Sequence, residues 1–269
     1  PKWADVETPS RHLGLSLDED FCFEEFADRV AELVEKHVNI NRLLELTKPV
    51  ATAVVPISAG RHIYKREPSF PIAVACDPAF NFVYEANIRY LHHLGEVTYF
   101  SPLADTSLPD AGFVYFPGGY PELYLAALSA NRQMLQSIRR YVESGGKLLA
   151  ECGGMMYLCD EIRDKNGDVY PMAGVLHQSA TMENMKLRLG YRTLLYNETR
   201  LKGHEFHYSR LVEQQNPLPS CAVAYTAKGV ETDTPLYHYK NVWAGYTHLY
   251  WADPVGNEWF TKFVIDGNT

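Results

Sequence analysis

A chain of 269 residues with 46% hydrophobic content is long enough for one large domain, or one domain with an appendage, around a sizeable core. Its net charge of −8, from 25 basic and 33 acidic residues, argues against a nucleic-acid-binding surface. No apolar run approaches the roughly 20 residues that a membrane-spanning helix needs, so no membrane association is expected.

Five cysteines (Cys22, Cys76, Cys152, Cys159, Cys221) are odd in number, scattered and without a Cys-x-x-Cys pair. They argue against a disulfide framework or a zinc knuckle and point to a reducing, cytoplasmic setting. The chain starts at Pro1 with no signal-peptide pattern and reads as a piece of a longer protein.

In chain order, Phe23, Phe26, Val30, Leu33 and Val34 recur at helical spacing, and a second helix is expected over Arg42–Leu46 behind Asn39 or Asn41 as cap. Four prolines, a glycine and several charges make 48–71 a linker. Residues 1–66 hold too few apolar side chains for a core of their own. From Ile72 the pattern changes. Strands are expected at Ile72–Cys76, Val97–Phe100, Phe113–Phe116 and Lys147–Glu151, with helices at Tyr84–Leu94, Pro121–Leu128 and Asn131–Val142. Met134, Leu135, Ile138, Tyr141 and Val142 share one face of the last of these, which stops at Gly145-Gly146. Such alternation indicates a mostly parallel sheet covered by helices on both faces. Later come strand-like stretches at Gly190–Tyr196, Glu205–Val212, Ala222–Ala227 and Val242–Tyr250, expected as antiparallel additions to the sheet, and a last helix at Gly256–Val264.

Chemistry concentrates at Lys147–Leu158. The apolar strand Leu148-Leu149-Ala150 stops at Glu151-Cys152-Gly153-Gly154, and Met155, Met156, Leu158 and Ile162 continue as a helix. Cys152 then sits on a sharp strand-to-helix turn, the logic of a nucleophile elbow, with the helix N-terminus favouring thiolate. Ligands bind beyond the carboxyl ends of parallel strands, which selects this turn and Pro117-Gly118-Gly119-Tyr120. If these strands are neighbours, the N–H groups of Gly119 and Gly153 converge near the sulfur as an oxyanion hole.

A cysteine nucleophile wants a base. His177, His204, His207, His238 and His248 are equal candidates on the residues alone. His204-Glu205-Phe206-His207 resembles a metal motif only loosely, because its spacing is one residue short and its composition is β-prone, so no metal is expected.

Seven stretches, in order along nearly the whole chain, carry a family likeness: Pro9-Ser10-Arg11-His12-Leu13-Gly14-Leu15, Phe100-Ser101-Pro102-Leu103-Ala104-Asp105, Pro117-Gly118-Gly119-Tyr120-Pro121-Glu122-Leu123, Ala150–Leu158, Leu189-Gly190-Tyr191-Arg192, Gly203–Ser209 and Gly245-Tyr246-Thr247-His248. The chain resembles the glutamine amidotransferase half of cobyrinate a,c-diamide synthases, the CobB/CbiA type of class I amidotransferases. The resemblance implies a flavodoxin-like α/β fold and makes residues 67–269 the amidotransferase domain. Residues 1–66 become the tail of an ATP-dependent synthetase domain plus linker. It also implies that Cys152 attacks L-glutamine to form a thioester, that His248 moves the proton, and that Gly119 and Gly153 form the oxyanion hole. Ammonia then passes to a synthetase domain that uses ATP and Mg²⁺ to activate the a and c carboxylates of a corrin-type tetrapyrrole in cobalamin biosynthesis.

Two features depart from the broader class. The His-x-Glu pair is missing, because Tyr250 follows His248 by two residues; Asp253 could substitute, but a Cys–His dyad is expected. No Gly-x-x-x-x-Gly-Lys-Ser/Thr loop occurs in the chain, so no ATP cofactor is expected on this piece. For the substrate, Arg188 or Arg192 could clamp the glutamine carboxylate, Glu205 could meet its α-amino group, Tyr120 could line the pocket, and Glu122 more naturally caps the following helix. Alternatives are a related enzyme serving cobyric acid, nickel-sirohydrochlorin or a cell-wall lipid, and a catalytically silent docking domain.

Overall fold

The computed structural model describes Val6 and residues 22–47, 70–215 and 217–266. The Pro9–Leu15 motif, with His12, and most of the expected 48–71 linker, with His62, lie outside the described residues. The chain divides into two compact units, Pro1–Ile63 and Tyr64–Thr269.

In the first unit, α1 spans Phe23–His37 with Glu24 and Glu25 in its first turn and Lys36 and His37 in its last, charges that suit the helix dipole at both ends. Asn39 caps α2 (Ile40–Leu46), its side chain accepting the Arg42 N–H at 2.9 Å.

The second unit is built on a six-stranded sheet. Its strands are β1 (Pro71–Ala75), β2 (Glu96–Phe100), β3 (Phe113–Phe116), β4 (Lys147–Glu151) and two late arrivals, Leu236–Tyr239 and Val242–Gly245. Across the sheet the order is β2, β1, β3, β4, Val242–Gly245, Leu236–Tyr239, and all neighbours are parallel except the last pair. The fold is therefore α/β with a mostly parallel main sheet, as the alternating pattern implied. Both faces of these strands are buried, which is why they read as continuous apolar runs. Side chains alternate between two clusters. Ala73, Val114, Phe116, Leu148 and Ala150 face α4 (Leu125–Ala130), α5 (Arg132–Glu143) and α6 (Gly153–Leu158). Ile72, Val74, Phe113, Tyr115, Leu149 and Trp243 face α3 (Glu85–Leu94) and α7 (Pro254–Thr261).

Several expectations need correction. The helix after Cys152 ends at Leu158, and Ile162 lies in a strand, β5 (Glu161–Arg163). That strand joins β6 (Val169–Pro171), β7 (Ser179–Thr181) and β10 (Arg210–Leu211) in a separate four-stranded sheet. Three-residue strands are too short to leave a periodic signal. Nor do the later strands simply extend the main sheet. β8 (Arg188–Tyr196), β9 (Thr199–His207), β11 (Val223–Thr226), β12 (Glu231–Thr232) and β15 (His248–Leu249) form a third, five-stranded sheet. Only β13 (Leu236–Tyr239) and β14 (Val242–Gly245) enter the main one, and β14 lies parallel to β4. The run Val242–Tyr250 is thus broken in two, leaving the main sheet after Gly245 and joining β9 at His248. This break positions the site. The last helix starts two residues early, at Pro254 behind the Asp253 cap, and passes into a π-helical turn at Lys262–Asp266.

Candidate active site

β4 ends at Glu151, and Cys152 takes φ 49°, ψ −107°. A non-glycine residue held there costs on the order of 1–3 kcal/mol, and such strain persists only where the surroundings over-determine it. They do so here. The Cys152 N–H donates to Gly245 O at 2.8 Å, Gly154 N–H to Pro117 O at 3.1 Å, and Met156 N–H to Cys152 O at 3.0 Å. Gly154 is required, because a Cβ would collide with the Phe116 carbonyl. A Cβ on Gly153 would lie 2.7 Å from Pro121 Cδ and 3.2 Å from Gly119 N. The two glycine loops after β3 and β4 therefore interlock, and the Gly119 and Gly153 backbones come together beside the elbow.

The Cys152 side chain is buried, with Sγ 4.0 Å from Phe206 O. Burial pushes the thiol pKa well up, the Glu122 carboxylate pushes the same way, and the Gly153 amide opposes them without prevailing. This reverses the expectation of a thiolate favoured by the helix N-terminus: α6 is only six residues long, and desolvation outweighs it. The resting group is a thiol. Alkylation of Cys152 by iodoacetamide should therefore accelerate with pH through and beyond the ordinary thiol range near pH 8.5. A plateau below pH 7, read by peptide mass spectrometry, would contradict this.

His248 arrives from the other side. Directly opposite His204 in the β15–β9 pair, it is buried with its imidazole against Gly118, where a Cβ would clash with the ring. Phe82 packs on the ring at 4.4 Å between centroids. Burial, helped by His204 and His207 and opposed by Glu205, pushes its pKa down to about 3, so the imidazole is neutral at physiological pH. Its Nδ1 makes no hydrogen bond. The Glu151 carboxylate is 3.9 Å from that nitrogen. Asp253, the expected stand-in for a third group, is committed elsewhere, capping α7 through Gly256 N at 2.7 Å and pairing with Lys202 at 3.0 Å.

The other histidines separate from the elbow's surroundings to different degrees. His177 pairs with Asp160 at 3.4 Å on the surface, and His238 stacks on Trp243 at 4.4 Å between centroids. Along β9, His204 and Phe206 stack on one face, while Glu205 and His207 share the other, as the two-residue period requires. His207 Nε2 lies 2.8 Å from Glu205 Oε1. No group of three His, Cys, Asp or Glu side chains able to hold a metal occurs among the described residues, and no described helix is long and apolar enough to cross a membrane.

The expected substrate residues are mostly engaged with protein. Arg188 forms a two-pronged pair with Asp233. Arg192 is buried against Glu205, and Glu205 also accepts from Thr234 Oγ1 at 2.9 Å. Burial alone would push the Glu205 pKa up, but His207, Arg192 and Thr234 together hold it below the usual carboxylate value. Tyr120 stands half-buried at the mouth of the 3-10 turn Pro121–Leu123, where burial, Glu122 and Cys152 raise its pKa. Glu122 lies in the first turn of that segment, its carboxyl pushed by burial to about 7. Glu151 escaped the sequence reading. Its signal was a carboxylate two residues after Leu149, on the same face of an otherwise apolar strand.

Comparison with known proteins adds the lineage. The family model of the CobB/CobQ-like glutamine amidotransferase domain matches residues 71–255. A hydrogenobyrinate a,c-diamide synthase of Stutzerimonas stutzeri is 36% identical over 95% of this chain and 58% of its own length. Cobyrinate a,c-diamide synthases of Leptospira interrogans and Clostridium acetobutylicum are 34% and 35% identical, over 93% and 98% of this chain and 57% and 60% of theirs. The chain thus spans less than two thirds of the length of these relatives. Among solved structures, a glutamine amidotransferase and the PurLQS structure from Thermotoga maritima each align with a TM-score of 0.47 at 16% identity, covering 72% and 73% of this chain and 98% and 96% of theirs.

Proposed function

The chain belongs to the CobB/CobQ-like glutamine amidotransferase family, and from that premise we propose that Cys152 and His248 release ammonia from L-glutamine through a covalent thioester. The observation that carries this reading is the strained backbone of Cys152, φ 49°, held beside the paired glycine loops with the His248 imidazole lying over Gly118. Strain of this kind, kept by several hydrogen bonds at the carboxyl edge of a parallel sheet, is where a nucleophile is expected.

The first step starts from a neutral thiol and a neutral imidazole. His248 takes the thiol proton as sulfur forms its bond to the amide carbon. The carbonyl oxygen becomes an oxyanion facing the Gly119 and Gly153 N–H groups, the role assigned to them here. Collapse breaks the C–N bond, and the imidazolium returns its proton to the leaving ammonia. Water then cleaves the thioester to glutamate: His248 takes the water proton as base, the C–S bond breaks, and the imidazolium returns that proton to the leaving sulfur, regenerating the thiol.

The relatives support a corrin acceptor. Those quoted above are cobyrinate or hydrogenobyrinate a,c-diamide synthases, so delivery of ammonia to two corrin carboxylates is the reading they favour. ATP and Mg²⁺ belong in this reading to a synthetase domain, of which residues 1–66 would be the end. Tyr120 remains a candidate pocket wall. With Arg188 and Arg192 both in ion pairs, glutamine recognition by either would require it to exchange partners.

The test is glutamate release measured on the full-length protein with acceptor and ATP. His248→Ala should lower kcat by about 10²- to 10⁴-fold, the usual span for a lost general base. An unchanged rate would remove His248 from the mechanism and favour a docking role for the domain.

A further inference from the structure

The geometry points to Glu151 as the positioning residue for His248, a carboxylate supplied by the residue that precedes the nucleophile. Three observations carry this. First, His248 Nδ1 is a buried polar atom without a hydrogen bond, and Glu151 Oε2 lies 3.9 Å from it. A closure of about 1 Å would make this a hydrogen bond, and catalytic hydrogen bonds are often long in unliganded sites.

Second, Glu151 is itself held in place. Tyr115 O–H donates to Oε2 at 2.7 Å and Leu249 N–H donates to Oε1 at 3.0 Å. The second bond comes from the residue next to His248, so carboxylate and imidazole are tied to one stretch of backbone. Third, a buried carboxyl group is out of place for a purely structural role. Glu151 sits 2% exposed at the end of an apolar strand, where an ionised group is costly unless partnered, and no lysine or arginine pairs with it among the described residues. The groups facing it are Tyr115, Tyr84, Cys152, His248, Trp251 and the Leu249 N–H.

The role follows from proton accounting. To accept the thiol proton on Nε2, His248 must carry its own proton on Nδ1. A carboxyl oxygen facing Nδ1 selects that tautomer. When the thiol proton reaches Nε2, the new imidazolium lies beside Glu151 and favours its carboxylate form. Glu151 touches neither substrate nor sulfur in this scheme. Burial pushes its own pKa up to about 8, against the Tyr115, Leu249 and Trp251 donors that stabilise the carboxylate form.

This inference rests on the Cys152–His248 reading, and the two fail separately. The probe is a glutamine-derived diazoketone, whose capture by the cysteine gives a second-order rate separable into binding and alkylation. Glu151→Gln keeps the size and an acceptor oxygen but presents N–H groups to Nδ1, forcing the wrong tautomer. It should slow the alkylation step by roughly 100-fold or more while leaving binding of the probe unchanged. Nitrogen NMR of the wild-type protein, with His248 assigned by its disappearance in His248→Asn, should show Nδ1 protonated and Nε2 bare. An Nε2–H tautomer in the wild type overturns the inference, because Glu151 would then be donating to Nδ1. So does Glu151→Gln that folds and alkylates at the wild-type rate. If Glu151→Gln fails to fold, the wild-type tautomer still decides. By contrast, probe captured undiminished by Cys152→Ala would sink the underlying nucleophile assignment instead.

Discussion

Cys152→Ala is expected to lower glutamine hydrolysis by at least about 10⁴-fold, with glutamine binding largely retained. The magnitude follows from what the side chain would do: without sulfur there is no acyl intermediate, and the amide must be attacked by water alone. Alanine is the appropriate replacement because the strained backbone stays occupied by a small residue and nothing new is buried. Serine would add a hydroxyl beside His248 and confuse the result. Cys159 provides the internal control. It is fully buried seven residues on, its thiol resting against Met155 O at 3.6 Å, so Cys159→Ala should cost stability through lost packing while leaving the rate per folded molecule intact. Equal losses in both variants would mean that the elbow matters for folding alone.

The second large effect is on stability. Arg192→Met should destabilise the 64–269 unit by about 3–5 kcal/mol, because it removes the buried arginine charge facing Glu205 and leaves only His207 and Thr234 to hold that carboxylate. For a unit of this size that corresponds to roughly 6–20 °C in Tm. Arg192 is 8% exposed and Glu205 1% exposed, and the two meet diagonally across the β8–β9 pair, where Gly190 opposite Glu205 leaves room for the guanidinium. Methionine fills the arginine volume and keeps its apolar stem, so the loss reports the charge. Thermal unfolding and glutamine KM together separate the two roles open to Arg192. A lower Tm with unchanged KM supports an internal partner for Glu205, whereas an unchanged Tm with a raised KM restores the substrate clamp suggested by the sequence.

What was legible from residues alone divides along physical lines. The main sheet was readable because both of its faces are buried, so Ile72–Ala75 and Phe113–Phe116 stand out as unbroken apolar runs bounded by turns. The elbow was readable because Cys152 sits between such a run and two glycines, and those glycines have definite steric reasons to be glycine. The two smaller sheets were not. Strands as short as Glu161–Arg163 carry no period, and the crossing of Val242–Leu249 from one sheet to another is a tertiary event hidden within one continuous β-prone stretch. That crossing is what brings His248 over Gly118, so residue patterns alone left five histidines equal and only the family likeness singled out one. The Cys152 ionisation was misjudged for a related reason: a sequence displays the helix that follows, but not the desolvation that outweighs it. Glu151 was passed over because a carboxylate beside the nucleophile looks like the end of a strand until Tyr115 and Leu249 are seen to hold it.

The most direct measurement of the central claim is peptide-mapped mass spectrometry of the protein after brief exposure to the glutamine-derived diazoketone, with excess glutamine as competitor. The account predicts one adduct, on Cys152, suppressed by glutamine, with Cys22, Cys76, Cys159 and Cys221 unmodified. An adduct on any other cysteine in place of Cys152, or labelling of Cys152 that glutamine does not slow, would contradict it.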